Sequence, residues 1–507
     1  MRIYINSQKL SSESLFRFNY HKTIYQMKLI KGSIIVVFLL LLFSGFSAKD
    51  SKPNIIIIYF DDMGYGDIEP YGMTGIHTPN FNRLAAEGIR FTNYNTVQAV
   101  CTASRAALLT GAYTNRVGLA GAIGPGANVA LSMEEETIAS LLKDNGYKTG
   151  MLGKWHLGSE APYFPMSYGF QSFYGLPYSH DYWAVDYDGS PVTKSGDYRK
   201  NWGAVPVIEG DKIIKTISTL DQQAEWTTTL TEKAVSFIKQ NKKDPFFLYL
   251  AHPMPHVPLA ASDKFKGKSE LGVFGDVIME LDWSLGEILN TLDKEKLAEN
   301  TVIMLMSDNG PWVHFGNNAG STGGFREGKG TTFEGGTRVP CMMRWPKKIK
   351  AGNVSGELIS NLDILPTISA ITNSPLPKKR IDGLNLSPLL LGKTDNGPRQ
   401  ILYYYYNQNS LKGVRYKHWK LVLPHKSQSY ETGTLGKDRY PGQVKSIDVP
   451  LGLYDLAHDP GEKYDIKELY PEVVKEIMIY VEEARQDLGD DLTGREGANR
   501  RLPAKVH

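Results

Sequence analysis

Short apolar runs that stop abruptly at polar residues constrain the fold of this chain more than any other feature. Residues 55–60 (IIIIYF) end at Asp61-Asp62, residues 246–251 (FFLYLA) lead to His252 and His256, and residues 302–306 end at Ser307-Asp308-Asn309-Gly310. A fourth run, 148–152, passes into Gly153-Lys154-Trp155-His156. Uninterrupted apolar runs of this length, rich in Ile, Val, Phe and Tyr, have the pattern of strands buried on both faces of a parallel sheet. Stretches with helical spacing alternate with them at 80–87, 104–109, 133–145, 222–241 and 275–293. This alternation predicts an α/β fold, a doubly wound, mostly parallel sheet flanked by helices, with its ligand crevice beyond the carboxyl ends of the strands. The four polar clusters then converge on one edge.

A different organisation follows toward the C-terminus. Residues 402–406, 413–423 and 451–456 are strand candidates, and 471–488 has helical spacing with Val474, Ile477, Val481 and Ala484 on one stripe. We read a smaller antiparallel sheet with a helix, the stripe serving as core. The run Tyr403 to Tyr406 suits alternating burial in a strand, with stacking on sugars as the competing role, and the charged residues of 490–501 read as a solvated tail. The expected division is an N-terminal extension and leader (1–48), a catalytic α/β domain (49–398) and a C-terminal subdomain with its tail (399–507), in keeping with a chain of 507 residues.

Residues 33–43 (SIIVVFLLLLF) are eleven apolar or small residues, short of the roughly 20 needed to span a bilayer but suited to the apolar region of a signal peptide. Lys28 and Lys31 supply its positive start, SGFSA at 44–48 a cleavage region, and Met27 reads as the initiator. The expectation is an exported protein, periplasmic or secreted, without a stable membrane anchor; an uncleaved anchor is the competing reading. The leader also explains the charge. Of 57 bases and 54 acids, residues 1–48 hold six bases and one acid, which leaves 51 bases and 53 acids, or −2, for the rest. Nucleic acid is therefore not an expected partner. Two cysteines, Cys101 and Cys341, do not make a disulfide scaffold. Cys341, within PCMMRWP, reads as a small buried hydrophobe.

Taken singly, each polar cluster has a structural reading. Asp-Asp and Asp-Asn-Gly are ordinary turn residues, the prolines around His252 and His256 make a stiff loop, and Gly316 to Gly336 could be a flexible basic loop. Their joint occurrence at equivalent strand ends favours function. Asp61, Asp62, Asp308 and Asn309 offer oxygen donors suited to a hard divalent cation, calcium before magnesium. Arg105, Lys154, Lys329, His156 and His256 would form an anion pocket around it. Cys101 lies just before a helical segment, where backbone N–H groups favour negative charge, and Arg105 would share its face.

The segment CTASRAALLTG at 101–111 resembles the signature of the type I, formylglycine-dependent sulfatases, C-x-[PA]-x-R followed by LLTG. GKWHLG, PYSHD, the loop after FFLYLAHPMPH, SDNG and GKGTTFEGGTRVP follow in that family's order, and GVRYKHWKLV and LYDLAHDPGEKYDI look like its C-terminal subdomain. PYSHD is most similar to the arylsulfatase A branch. The resemblance implies an alkaline-phosphatase-like fold and hydrolysis of a sulfate ester, expected on a sulfated saccharide. It implies that a maturation enzyme converts Cys101 to formylglycine, whose hydrate attacks sulfur. Asp61, Asp62, Asp308 and Asn309 would hold Ca²⁺, which position 101 also meets. Arg105 and His156 match residues that orient and activate the nucleophile, and Lys154 and Lys329 match ligands of the sulfate oxygens. His256, assisted by Lys329, matches the proton donor, and Ser179, with His180, a further sulfate contact. A phosphodiesterase or phosphonate-ester hydrolase on the same scaffold, or an inactive module binding sulfated glycans, are the alternatives weighed against this.

Overall fold

The computed structural model describes residues 24–27, 52–193 and 197–506, so the proposed signal region at 33–43 lies outside the described residues. Among the described residues no helix is long and apolar enough to cross a membrane. Residues 53–507 form one compact unit.

That unit is built on a ten-stranded mixed sheet. Its strands are β1 (Asn54–Phe60), β2 (Ile89–Phe91), β3 (Lys148–Lys154), β4 (Ser172–Leu176), β5 (Val205–Glu209), β6 (Lys212–Ile217), β7 (Phe246–Ala251), β8 (Thr301–Ser307), β9 (Cys341–Arg344) and β10 (Asn353–Ser355). They run in the order β10-β2-β9-β8-β1-β7-β3-β4-β5-β6. The central strands β8, β1, β7, β3 and β4 are parallel, and antiparallel pairs flank them on both sides. The all-apolar runs β1, β7 and β8 are buried along their whole length, as strands covered on both faces must be.

Alternation along β1 separates two cores. Ile55, Ile57 and Tyr59 pack with residues of α2 (Cys101–Thr110), α3 (Ile138–Asp144) and α6 (Ile364–Thr372). Ile56, Ile58 and Phe60 pack with α1 (Pro79–Glu87), α4 (Trp226–Gln240) and α5 (Gly272–Lys294). The doubly wound sheet is therefore as expected, with some boundaries moved. The 133–145 stretch becomes helical only at Ile138, because Thr137 caps α3 by accepting from the Ser140 N–H. The 222–241 stretch is two helices, Leu220–Ala224 and α4.

The C-terminal part forms a four-stranded antiparallel sheet in the order β11 (Ile401–Tyr406), β12 (Ser410–Tyr416), β13 (Trp419–Val422), β14 (Gly452–Asp455), with α7 (Pro471–Leu488) packed on β12. The expected single strand at 413–423 is instead a hairpin, since Lys417 takes φ 56° and reverses the chain. Ile477, Val481 and Ala484 are fully buried, so the α7 stripe is core. The solvated-tail reading of 490–501 holds for residues 491–500, which are exposed apart from the half-buried Gly497, but not for its two ends. Asp490 is buried and pairs with Arg485, Arg501 pairs with Glu135, and Ala504–Lys505 adds a short strand to Val129–Ala130. Arg501 lies against an acid 366 residues away in sequence, which no local pattern reveals.

One buried ionic knot ties the C-terminal sheet to the segment bearing Lys329. Lys420 Nζ lies 3.0 Å from Glu334 Oε1 and 2.9 Å from Glu462 Oε1, while Glu462 Oε2 accepts the Glu334 N–H at 2.6 Å. Burial alone would raise the Glu334 pKa, but Lys420 and then Arg415 more than offset this and hold it near 2. Lys420→Ala would leave two buried carboxylates short of their cation, a change that costs about 3–5 kcal/mol in comparable sites. Urea denaturation should show this loss, and adding Glu334→Gln and Glu462→Gln to a Lys420→Met chain should recover most of it.

Candidate active site

Strand register sets the site. Phe60 pairs with Ser307 as the last partners of β1 and β8, so Asp61-Asp62 and Asp308-Asn309 leave the sheet side by side. Tyr59 pairs with Ala251 and Gly153 with Ala251, which brings the loop carrying His252 and His256 and the Lys154-Trp155-His156 turn to the same edge. Gly153 has φ +101°, and a Cβ there would sit 1.9 Å from the Ala251 carbonyl oxygen, so only glycine allows β3 to lie this close to β7. Asp62 (φ 65°) and His156 (φ 62°) both adopt the left-handed backbone that is uncommon for non-glycine residues.

Ligand atoms of Asp61, Asp62, Cys101 and His256 lie within 4.8 Å of one another, all four residues buried. Asp308 and Asn309 abut this group: Asp308 Oδ1 accepts the Asp62 N–H at 3.1 Å, and Asn309 Nδ2 donates to Asp62 Oδ1 at 2.7 Å. Cations meet the acids one for one. Lys154 pairs with Asp61, Lys329 with Asp62 at 2.8 Å, and Arg105 with Asp308 at 2.8 Å. Arg105 also donates to the Lys154 carbonyl at 3.0 Å, so its guanidinium braces two site elements.

The donor set fits a hard divalent cation. Asn309 Oδ1 is buried with no hydrogen-bond partner among the described residues. Burial, followed by the neighbouring Asp61 carboxylate, pushes the Asp308 carboxyl up to about 7, so a further positive charge would favour its ionised form. A cation here would satisfy both and would free Lys154 and Lys329 to meet an external anion.

Above these groups opens a cavity of about 190 Å³. Of the residues singled out from sequence, Cys101, His156, Ser179, His256 and Lys329 line it, whereas Asp61, Asp62, Arg105, Lys154, Asp308, Asn309 and His180 stand behind its wall. Cys101 is the first residue of α2 rather than the residue before it. Its Sγ–H donates to Asp61 Oδ1 at 3.2 Å, and burial, with that carboxylate, raises the thiol pKa well above its ordinary value. The residue is thus a poor thiolate nucleophile as it stands. Cys101 and Cys341 are both free, and Cys341 is buried in β9.

His156 donates from Nε2 to the Ile123 carbonyl at 2.7 Å, leaving Nδ1 buried without a partner; burial and then Lys154 keep its ring neutral. Its Nδ1 is a free acceptor beside the cavity. His256 donates from Nδ1 to the Val257 carbonyl, so Nε2 is the nitrogen it can present. His180 Nε2 donates to the His256 carbonyl at 3.1 Å, so His180 supports His256 rather than lining the cavity. Ser179 Oγ is buried without a partner.

Tyr406, from the run weighed for stacking on sugars, also lines the cavity, as do Asp181, Tyr182, Trp312 and Gln428, which were not singled out from sequence. Tyr406 and Gln428 come from the C-terminal part. Gln428 Nε2 and the Tyr430 hydroxyl both donate to the Lys329 carbonyl, so that part holds the backbone of a central cation as well as supplying wall. Within the 316–336 segment, residues 327–336 are buried throughout, so the part carrying Lys329 is not a loose loop, whereas residues 319–326 are exposed or half-buried. Asp181 was visible in PYSHD, Trp312 just after SDNG and Tyr406 within the aromatic run 403–406, though nothing in that run marks which tyrosine reaches the cavity, and Gln428 has no sequence signal that separates it from its neighbours.

Comparison with known proteins gives a consistent picture. The sulfatase family model matches residues 53–374, and a model described as N-sulphoglucosamine sulphohydrolase, C-terminal, matches residues 327–487. Arylsulfatase A of Homo sapiens is 37% identical over 442 residues, covering 84% of this chain and 86% of that protein. N-acetylgalactosamine-6-O-sulfatase of Bacteroides thetaiotaomicron is 34% identical, covering 86% of this chain and 94% of that protein. The crystal structure of the PsFucS1 sulfatase from Pseudoalteromonas sp. superposes with a TM-score of 0.75 at 28% identity, covering 86% of this chain and 91% of that one.

If the buried oxygen cluster takes a divalent cation, adding the ion to chelator-stripped protein at a hundredfold excess over its Kd should stabilise the fold by about 2.7 kcal/mol. Calorimetry should show the melting temperature rising with the ion. Asp308→Asn, which preserves volume, should remove most of that response; an equal response in Asp308→Asn and the unaltered chain would exclude Asp308 as a ligand.

Proposed function

The chain belongs to the sulfatase family and is a sulfuric ester hydrolase, and from that premise we propose that its substrate is a sulfate ester on a carbohydrate, attacked from position 101. The observation that best supports this reading is the convergence of Cys101, His156, Ser179, His256 and Lys329 on one small cavity above buried oxygen donors. The carbohydrate is inferred from the cavity's mixture of aromatic and polar wall and from relatives named for sulfated sugars.

Asp61, Asp62, Asp308 and Asn309, with position 101, would hold Ca²⁺, which supplies positive charge to the sulfuryl group. Cys101 would be converted by a maturation enzyme to formylglycine, whose hydrate supplies a hydroxyl nucleophile that a later return to the carbonyl can release from sulfate. His156 accepts the proton of that hydroxyl at Nδ1. Arg105 fixes Asp308 and the Lys154 carbonyl. Lys154, Lys329 and Ser179 bind sulfate oxygens, with His180 holding the His256 loop in place. His256 gives a proton from Nε2 to the departing oxygen as its bond to sulfur breaks. The same reading keeps the divisions 1–48, 49–398 and 399–507, and the apolar segment at 33–43 supports export to the periplasm or medium without a stable membrane anchor.

Active protein should yield a peptide with an aldehyde at position 101 that reacts with hydrazide reagents in mass spectrometry. Cys101→Ala should fold and bind but show no turnover of sulfate esters. Full activity from protein whose position 101 is wholly unmodified cysteine would overturn the mechanism while leaving the fold intact.

Proton donation by His256 matters most when the leaving group is a poor one. His256→Ala should lower kcat on an alkyl sugar sulfate by about 10²–10⁴-fold, and by clearly less on 4-nitrophenyl sulfate, whose phenolate needs no proton. Equal losses on both substrates would remove His256 from the role of acid.

A further inference from the structure

Asp181 is an anomaly in a cavity built for an anion. It lines the same opening as Lys329, His256 and Ser179, and its Oδ1 is buried with no hydrogen-bond partner among the described residues. A carboxylate accepts hydrogen bonds and donates none, so it cannot ligate the negatively charged sulfuryl oxygens and would repel them. Within the protein its neighbours are the His256 and His180 imidazoles and the Ser179 hydroxyl; in a bound substrate, the group it can accept from is a donor on the part that leaves.

Its position fits that role. Asp181 directly follows His180, whose ring holds the His256 carbonyl at 3.1 Å, so the carboxylate and the proposed proton donor sit on one short frame. Burial would raise its pKa, but the His256 imidazole and the other groups around it more than offset this and keep it below the usual carboxylate value, so it is charged at neutral pH. Trp312 and Tyr182 add aromatic faces to the same cavity, and Gln428 and Tyr406 add polar groups, a wall suited to a ring with apolar faces and hydroxylated edges.

We propose that Asp181 is a specificity-determining residue, whose carboxylate accepts a hydrogen bond from a hydroxyl neighbouring the sulfate ester on the leaving sugar and excludes leaving groups with an anionic substituent at that position. This rests on the carbohydrate reading given above. No catalytic step is assigned to Asp181, and its effect is on which ester is accepted.

The experiment compares kcat/KM for monosaccharide monosulfates, for the deoxy analogue of the best of them lacking the neighbouring hydroxyl, for its disulfated counterpart and for 4-nitrophenyl sulfate. Asp181→Ala should lower the ratio of sugar to aryl activity by about 10- to 100-fold, the range expected when a charged hydrogen-bond partner is removed. The deoxy analogue should lose as much with the unaltered enzyme and little more when Asp181→Ala is added, because both changes delete one contact. Asp181→Asn, similar in shape but neutral, should raise the ratio of disulfated to monosulfated activity, a gain that misfolding cannot produce. An unchanged sugar-to-aryl ratio in Asp181→Ala, or additive losses on the deoxy analogue, would overturn the assignment of Asp181 alone. Failure of the unaltered enzyme to cleave any sugar sulfate while it cleaves 4-nitrophenyl sulfate would overturn the carbohydrate reading, and this assignment with it.

Discussion

Three carboxylates buried at adjacent strand ends, Asp61, Asp62 and Asp308, are the constraint around which the molecule is organised. Like charges in a dry environment repel strongly, and the chain answers with an equal number of buried cations, Lys154, Lys329 and Arg105. Each comes from a different segment: the end of β3, the glycine-rich loop after β8, and α2. The parallel register of β1 and β8 makes the acids neighbours, and the return of the three basic segments to that edge makes their burial tolerable. The buried central strands β1, β7 and β8 are what hold so polar a cluster in place.

The C-terminal part takes a share in this arrangement. Lys420 pairs with both Glu334 and Glu462, Glu334 lying just after Lys329 in sequence, and Gln428 and Tyr430 hold the Lys329 carbonyl. Its sheet and α7 also share a core with Val97, Ala107 and Leu362 of the larger part. Apolar packing supplies the adhesion, while the ionic knot and the two donors to one carbonyl set the position of a single side chain.

Residues that act through local sequence were legible without coordinates. The strand-terminal Asp61-Asp62 and Asp308-Asn309 follow unmistakable apolar runs, and CTASR at 101–105 has a spacing that needs no partner to be recognised. Pairings formed across the fold were not. Lys420 in a strand of mixed character gives no sign of Glu334 and Glu462, and Arg501 near the C-terminus gives none of Glu135. Gln428 and Tyr406 illustrate the same limit at the site, since they enter the cavity through the placement of one sheet against another. Even within the quoted PYSHD, the sequence could not tell that His180 supports a loop from behind while Asp181 faces the opening.

The two hydrogen bonds from Gln428 and Tyr430 to the Lys329 carbonyl bear on how such a protein can diversify. The ribbon of His425–Ser429 and Lys445–Val449 brings Gln428 to the cavity wall, yet with Tyr430 just beyond it that ribbon is also a mechanical support for a cation of the site. New preferences cannot be acquired by grafting that ribbon from a relative unless the graft also offers two donors at the same place. Drift in recognition is thereby channelled toward residues such as Tyr406, which lines the cavity from β11 and does not donate to the Lys329 carbonyl.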